Sequence, residues 1–311
     1  MRPDRPDLVQ LVSDIPSVEH AFRTGSAVAF LWKAPAEEIA RAFRAVERYL
    51  STLPIETSFP GADGLRADRQ SLWIASTGLG KRLHYEIGEI ANLDGDRAGG
   101  LRGLQLLKFQ PEVAGALSVL KGEIDAGLQV TVQGLRWHEE LPSSCIAGVT
   151  VRYRVVRYAP SQRGVAGIGL HPDGNVISAL ITDRPGLIVL GGPGWIARPD
   201  PVTGPLVMPG SILTRWSDGA LQPTVHAVEI HRGDPVKCTV VGFLNFADGC
   251  DVPRSRRLTS RIDQFTNKVS EFKNDDMCPD DDLATFYRDR GFVVQEGDQA
   301  RFLTLAELMA G

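Results

Sequence analysis

The chain has 311 residues, of which 43% are hydrophobic and 23% charged. That is the composition of an ordinary globular protein, long enough to bury its core without disulfides or a structural metal. A formal charge of −4 excludes the global basic field on which nucleic-acid binding draws. The one basic run, "RSRR" at 254–257, reads as solvated loop and is followed by the acidic "DDMCPDDD".

The amino terminus, "MRPDRPDLVQLVSDIP", mixes charge and proline without the apolar stretch of a signal peptide. No apolar run reaches the roughly 18 residues that span a bilayer. Cysteines stand apart at 145, 238, 250 and 278, in neither CxxC pairs nor a dense framework. Free thiols in a reducing cytoplasm are expected, with no membrane partner.

In chain order, "PAEEIARAFRAVERYLSTLP" (35–54) predicts an amphipathic helix. Pro35 stands at its start, Glu37 and Glu38 suit the positive end, and Ile39, Phe43, Val46 and Leu50 recur at helical spacing. A longer helix is predicted from Pro111 to about Leu135, with Val113, Leu117, Leu120, Ile124 and Leu128 on one face. Its glycines, at 115, 122, 127 and 134, weaken it or allow close packing. From Gly148 the texture changes to short β-branched and aromatic runs: "GVTVRYRVVRYAP", "VISALITD", "GLIVLGG", "GWIARP", "GPLVMPGSILTRWS", "PTVHAVEIH" and "VKCTVVGFLNF". Turn residues punctuate them about every ten positions, the rhythm of a barrel or two-sheet sandwich. Helices are expected again at 254–272 and 280–290. The whole reads as one domain, mainly β with flanking helices. Residues 1–147 are mainly helical, 148–247 form a jelly-roll core, and 248–311 add carboxy-terminal helices.

Within the β region, "HPDGNVISAL" places His171 and Asp173 two positions apart, and "PTVHAVEI" brings His226 fifty-five residues later. Residues i and i+2 of a strand share a face, so His171 and Asp173 would enter one cavity. With His226 on a facing strand, three ligands would hold one side of an ion and leave the other open, as a non-haem Fe(II) centre requires. An isolated HxD is common by chance; the strand-like setting gives this one weight. His231 is a rival distal ligand beside an "RGDP" turn, and an exposed role suits it better. His84 and His138 have no matching partner and fit ordinary surface or core roles.

Over residues 148–247 the sequence resembles the Fe(II)/2-oxoglutarate-dependent oxygenases of the isopenicillin N synthase-like family. That family follows HxD with a Gly-Leu-x-Val strand, a Gly-x-Trp turn, a Pro-Gly-x-x-Leu-x-x-Trp segment, the distal His and then Arg-x-Ser. Here the order is "HPD", "PGLIVLGGPGWIARP", "MPGSILTRWSDGALQPTVHAV" and "VKCTVVGFLNF". The resemblance implies a double-stranded β-helix, or cupin-like jelly roll, with His171, Asp173 and His226 on iron as the catalytic centre. It further implies 2-oxoglutarate and O₂ as co-substrates.

The far carboxylate of 2-oxoglutarate needs a buried cation, since an unpaired buried charge is costly. Where the family has Arg and Ser, this chain has Lys237 and Thr239, keeping the charge without the bidentate fork. Tyr158 matches the Tyr of the family's Asn-x-Tyr and offers a further hydrogen bond; the Asn position is Val156. The alternative for Lys237 is an edge-strand lysine snorkelling to water.

The implied reaction is oxidation of an unactivated C–H bond of a small molecule, by hydroxylation or by desaturation or cyclisation, as in specialised metabolism. Asp173 stands where family halogenases carry a small residue, so halogenation is disfavoured. Arg82, Arg157 and Arg163 are candidate anchors for an acidic substrate. Alternatives are an Fe(II) oxidase independent of 2-oxoglutarate, a non-catalytic binder of small acids, and a Zn(II) hydrolase, for which no general base is evident. No GxSxG, GxxxxGK[ST] or HExxH occurs, and "GGPG" (191–194) reads as a hairpin turn.

Overall fold

The computed structural model describes residues 15–52, 111–134, 149–158, 165–192, 204–217, 219–230 and 236–246. It also describes shorter stretches at 9–11, 55–56, 72–77, 80–91, 195–197, 272–273, 291–296 and 299–303, with isolated positions. In order, β1 (Val9–Leu11), α1 (Ile15–Arg23), β2 (Ala27–Ala29), α2 (Ala36–Leu50) and β3 (Ile55–Glu56) come first. They are followed by β4 (Leu72–Thr77), β5 (Gly80–Ala91), α3 (Pro111–Gly134), β6 (Thr150–Tyr158), β7 (Val165–His171) and β8 (Ile177–Thr182). Next come β9 (Leu187–Gly192), β10 (Trp195–Ala197), β11 (Leu206–Pro209), α4 (Ser211–Trp216), β12 (Val225–Ile230) and β13 (Lys237–Asn245). The chain ends with β14 (Phe272–Lys273), β15 (Val293–Glu296) and β16 (Gln299–Phe302).

Two sheets face each other. The larger has the order β1-β2-β11-β8-β13-β6-β5-β4-β3, and the smaller β10-β9-β12-β7. Strands β6, β13, β8 and β11 lie opposite the four-stranded sheet, the double-stranded β-helix expected of this sequence. Between the sheets pack Val156, Tyr158, Leu180, Leu206, Met208 and Val241 from one side and Leu187, Val189, Ala197 and Val228 from the other. Strand alternation turns the intervening residues Val151, Tyr153, Val155, Ala179, Ile181, Cys238 and Val240 to the outer face, where they meet the helices.

Both predicted helices form. α2 buries Ile39, Phe43, Val46 and Leu50, and α3 seats Leu117, Leu120, Ile124 and Leu128 in the outer core. Each fully buried side chain of this size is worth about 1.5–3 kcal/mol. Of the α3 glycines, Gly127 makes a close contact: a Cβ there would lie 3.2 Å from Val207, whereas Gly115 and Gly122 face open space. The tighter approach comes from the sheet, where a Cβ on Gly242 would stand 2.7 Å from Ile124. α3 rests directly on β13 for that reason.

The structure departs from expectation at both ends. The amino-terminal region keeps its helices but also supplies β1–β5, which extend the larger sheet on both sides of the barrel strands. Beyond 248, the predicted helices at 254–272 and 280–290 lie almost wholly outside the described residues, though Phe272 belongs to β14. The described carboxy-terminal residues instead form a three-stranded sheet, β14-β16-β15, with Glu296 opposite Gln299. "VVQE" and "QARF" flank Gly297-Asp298, which is hairpin rather than helix patterning. A third difference lies inside the core. "GPLVMPGSILTRWS" is not one strand: β11 stops at Pro209 and the chain turns into α4. Among the described residues no helix is long and apolar enough to cross a membrane.

Candidate metal centre

His171 is the last residue of β7, and Asp173 lies beyond the strand in the turn before β8. The shared-face expectation therefore holds in outcome but not in cause. Pro172 has no N–H to continue the ladder, and the turn, not the pleat, delivers the carboxylate. His226 arrives on β12, hydrogen-bonded to β7 in a register that sets His226 opposite His171. On its other side His226 pairs with Val189 of the inter-sheet core. His171 Nε2 lies 3.7 Å from Asp173 Oδ1, and His226 Nε2 lies 3.8 Å from Asp173 Oδ2. The imidazole centroids are 4.3 Å apart, and one ligand atom from each residue falls within 4.8 Å of the others. Ligands about 2 Å from a common ion lie about 3–4 Å from each other, so the three residues fit a single transition-metal ion.

Their neighbours orient them. His226 Nδ1 lies 3.1 Å from the Thr224 carbonyl oxygen. Donating there commits the ring to the tautomer whose Nε2 lone pair faces Asp173. Ser178, fully buried on β8, donates its hydroxyl to Asp173 Oδ2 and lies 3.0 Å from Asn175 Oδ1. Asn175 in turn donates to the Ile177 carbonyl at 2.6 Å. The start of α4 closes the turn from the other side: Ser211 N and Ser211 Oγ both donate to the Asp173 carbonyl, at 2.9 and 3.0 Å. Ser178, Asn175, Thr224 and Ser211 escape a reading by motif. Their only sequence signal is a small polar residue inside an apolar run, as in "NVISALIT".

Lys237 opens β13, a strand flanked by β6 and β8. It is 4% exposed, so an edge-strand lysine snorkelling to water does not describe it. Its alternation with Thr239 and Val241 turns it toward the inter-sheet space, since Val241 belongs to that core. The ammonium donates to the Pro185 carbonyl at 3.1 Å and stands 5.8 Å from the Tyr158 ring centroid. Gly186 leaves room for it: a Cβ there would lie 2.9 Å from Nζ, at a φ of +124° that disfavours any other residue. Tyr158 is paired with Lys237 across the β6–β13 ladder. Thr239 Oγ1 lies 3.3 Å from Thr182 Oγ1. Lys237, Thr239 and Tyr158 thus share the inner face of the larger sheet.

Of the candidate substrate anchors, Arg157 lies on the opposite, helix-facing side of β6, 3.4 Å from Glu47 of α2. That corrects its reading as a pocket residue. Arg82 takes part in β5 through its backbone register with Tyr158, and Arg163, His138 and His231 lie outside the described residues. A separate cavity of about 600 Å³ sits between α2 and the end of β8, lined by Trp32, Ile39, Phe43, Glu47, Asp183 and Arg184. No triad residue borders it.

No protein-family model matches the chain, and no curated protein does. Solved structures do match it. The dioxygenase for auxin oxidation 1 of Arabidopsis thaliana, in its 2-oxoglutarate binary complex, is 15% identical with a TM-score of 0.55 over 79% of this chain and 93% of its own. The dioxygenase for auxin oxidation of rice is 19% identical with a TM-score of 0.52 over 84% and 87% of the two chains. JOX2, in complex with 2OG, Fe and JA, is 16% identical with a TM-score of 0.50 over 82% and 78%. The likeness is one of fold: this chain has the jelly roll of dioxygenases solved with 2-oxoglutarate, and in one case iron, bound.

Proposed function

We propose that the protein is an Fe(II)- and 2-oxoglutarate-dependent oxygenase that oxidises an unactivated C–H bond of a small molecule. The observation that carries this reading is the meeting of His171, Asp173 and His226 at one end of the barrel, with a buried ammonium, Lys237, inside the same barrel. Iron, 2-oxoglutarate and O₂ together supply a two-electron oxidation whose co-products are succinate and CO₂.

The chain's own residues do the rest. His171 Nε2, His226 Nε2 and an Asp173 oxygen would hold the ion, a donor set that suits Fe(II). The Thr224 carbonyl keeps the His226 proton on Nδ1. Ser178 occupies Asp173 Oδ2, leaving Oδ1 the less encumbered ligand atom. Lys237 pairs with the far carboxylate of the co-substrate, assisted by the hydroxyls of Tyr158 and Thr239. The Pro185 carbonyl holds the ammonium where it stands. Hydroxylation is the default outcome, with desaturation or cyclisation an alternative fate of the same substrate.

The test needs no substrate. Anaerobic addition of Fe(II) and 2-oxoglutarate is expected to raise the visible charge-transfer band of the chelate, and admitting O₂ should release succinate. Absence of both would overturn the proposal. Neither band nor succinate, together with O₂ uptake that needs Fe(II) and an oxidisable substrate but no 2-oxoglutarate, would favour an Fe(II) oxidase that draws its electrons from the substrate.

A further inference from the structure

Lys237 is the first residue of β13, and the end of a strand is where a sheet frays most readily. A lysine also brings a long flexible stem and a point charge, so nothing in the side chain itself fixes where that charge stands. Here both the backbone and the tip of the lysine are held by one turn, residues 183–186 between β8 and β9. The β13–β8 ladder pairs Thr239 with Thr182, and past that pair the turn takes over. Asp183 N donates to the Cys238 carbonyl at 3.1 Å, and Cys238 N donates back to Asp183 Oδ1 at 2.8 Å. Arg184 Nε donates to the Val236 carbonyl at 3.1 Å. The residues on either side of Lys237 are thus tied to the turn, one by Asp183 and the other by Arg184. The tip is tied as well, because Nζ donates to the Pro185 carbonyl at 3.1 Å. One residue on, the Gly186 carbonyl accepts from Glu229 N at 2.7 Å. That bond fastens the turn to β12, the strand that carries His226.

Building on the oxygenase reading, we propose that Asp183 and Arg184 are positioning residues for the co-substrate. They fix the Lys237 ammonium relative to the strand that carries His226, and so set the span over which a 2-oxo diacid is recognised. Asp183 carries more of the task. Its carboxylate makes a charge-assisted bond to a backbone N–H, and its side chain is 16% exposed against 51% for Arg184. Arg184 Nε also lies 3.5 Å from Asp183 Oδ2, which joins the two into one unit. An arginine in place of Lys237 would bring its own rigid fork of donors; the lysine takes its direction from the chain around it. The competing role is purely structural, since the same bonds close the β8–β9 turn whatever Lys237 does. Simple electrostatics makes the opposite prediction: removing an acidic neighbour would strengthen the binding of a dianion. The sign and the selectivity of the effect therefore separate the three.

In the experiment the protein is loaded with Fe(II) anaerobically. The visible band of the chelate is then titrated with 2-oxoglutarate and with 2-oxopentanoate, which lacks the far carboxylate. The unaltered protein is expected to prefer 2-oxoglutarate, and Lys237→Met to lose that preference. Asp183→Ala should lower the ratio of the two affinities about five- to tenfold, all of it through weaker 2-oxoglutarate binding. Asp183→Asn, which keeps an acceptor oxygen for Cys238 N, should restore most of the ratio. In the Lys237→Met background, Asp183→Ala should have no further effect on it. Equal weakening of both acids, an unchanged or increased ratio, or a full effect in the Lys237→Met background would overturn the proposal. No band at all would strike the oxygenase reading, and an unaltered protein without preference would strike the role of Lys237; either takes the proposal with it. Should Asp183→Ala not fold, Arg184→Ala is the second variant, on a half-exposed side chain. It should lower the ratio about two- to threefold, and an unchanged ratio would overturn the proposal.

Discussion

Strands β6 and β13 each present two faces, and the two faces do different jobs. Outward, Tyr153, Cys238 and Val240 meet the helices in an apolar layer, and polar groups beside Tyr153 are matched to one another. Tyr153 donates to Asp125, Asp125 pairs with Lys121, and burial beside that carboxylate holds the phenol well above the ordinary tyrosine range. Inward, one residue along, the same strands carry Arg154, Tyr158, Lys237 and Thr239. A pleat that alternates every residue lets one strand pair serve stability on one side and, in the proposed function, binding on the other. Substitutions should therefore sort by parity, not by distance along the chain.

The largest expected effect lies at the inner end. His171→Ala and Asp173→Ala should each abolish Fe(II)-dependent succinate formation and the chelate band, with the thermal midpoint of the metal-free protein nearly unchanged. A retained band would break the assignment. Lys237→Met should raise the 2-oxoglutarate concentration needed for half-maximal succinate release by about ten- to a hundredfold, the scale of a lost charge-assisted bond. Unchanged dependence would remove Lys237 from the pocket. Ser178→Ala should cost about tenfold in metal affinity, measured by chelator competition, because the partner orienting Asp173 is gone. Ser178→Thr should recover most of it.

Outer-face changes should show the reverse pattern. Gly242→Ala drives a methyl to within 2.7 Å of Ile124 and should lower stability by about 1–3 kcal/mol in urea melts, with 2-oxoglutarate affinity preserved. The smallest effect concerns Asp183, at the outer end of β8. Burial lifts its carboxyl above the ordinary aspartate value, against the opposing pull of the Cys238 N–H and of Arg184 and Lys237. The folded state then holds more protons than the unfolded state between the two values, so stability falls as pH rises through that window. Asp183→Asn should flatten the slope; an unaltered melt series between pH 4 and 7 would refute it.

The metal ligands are legible in the sequence because HxD and a distal His keep their order with respect to glycine and tryptophan landmarks. Lys237, Thr239 and Tyr158 are legible as departures from a known pattern. What stays hidden depends on parity and register. Arg154 and Arg157 look alike in "VRYRVVRYAP", and only the pairing of β6 with β13 shows which faces the barrel. A spacing of two fits a pleat as readily as a turn, which is why the sequence puts Asp173 on a strand and the structure does not. The helices expected at 254–272 and 280–290 lie almost wholly outside the described residues, while the Gly-Asp pair between "VVQE" and "QARF" is a hairpin signal that the reading of 248–311 as helical passes over.

The placement of the two histidines on hydrogen-bonded neighbours has a kinetic corollary. Sliding β12 by one residue past β7 would swing one imidazole to the far side of the sheet, and this ladder already carries irregularities after His226 and Val228. An ion held by both His171 and His226 would act as a rivet through the ladder. Amide protons of residues 165–171 and 225–230 should therefore exchange with deuterium more slowly when Mn(II) or Fe(II) is bound, while those of β6 and β13 keep their rates.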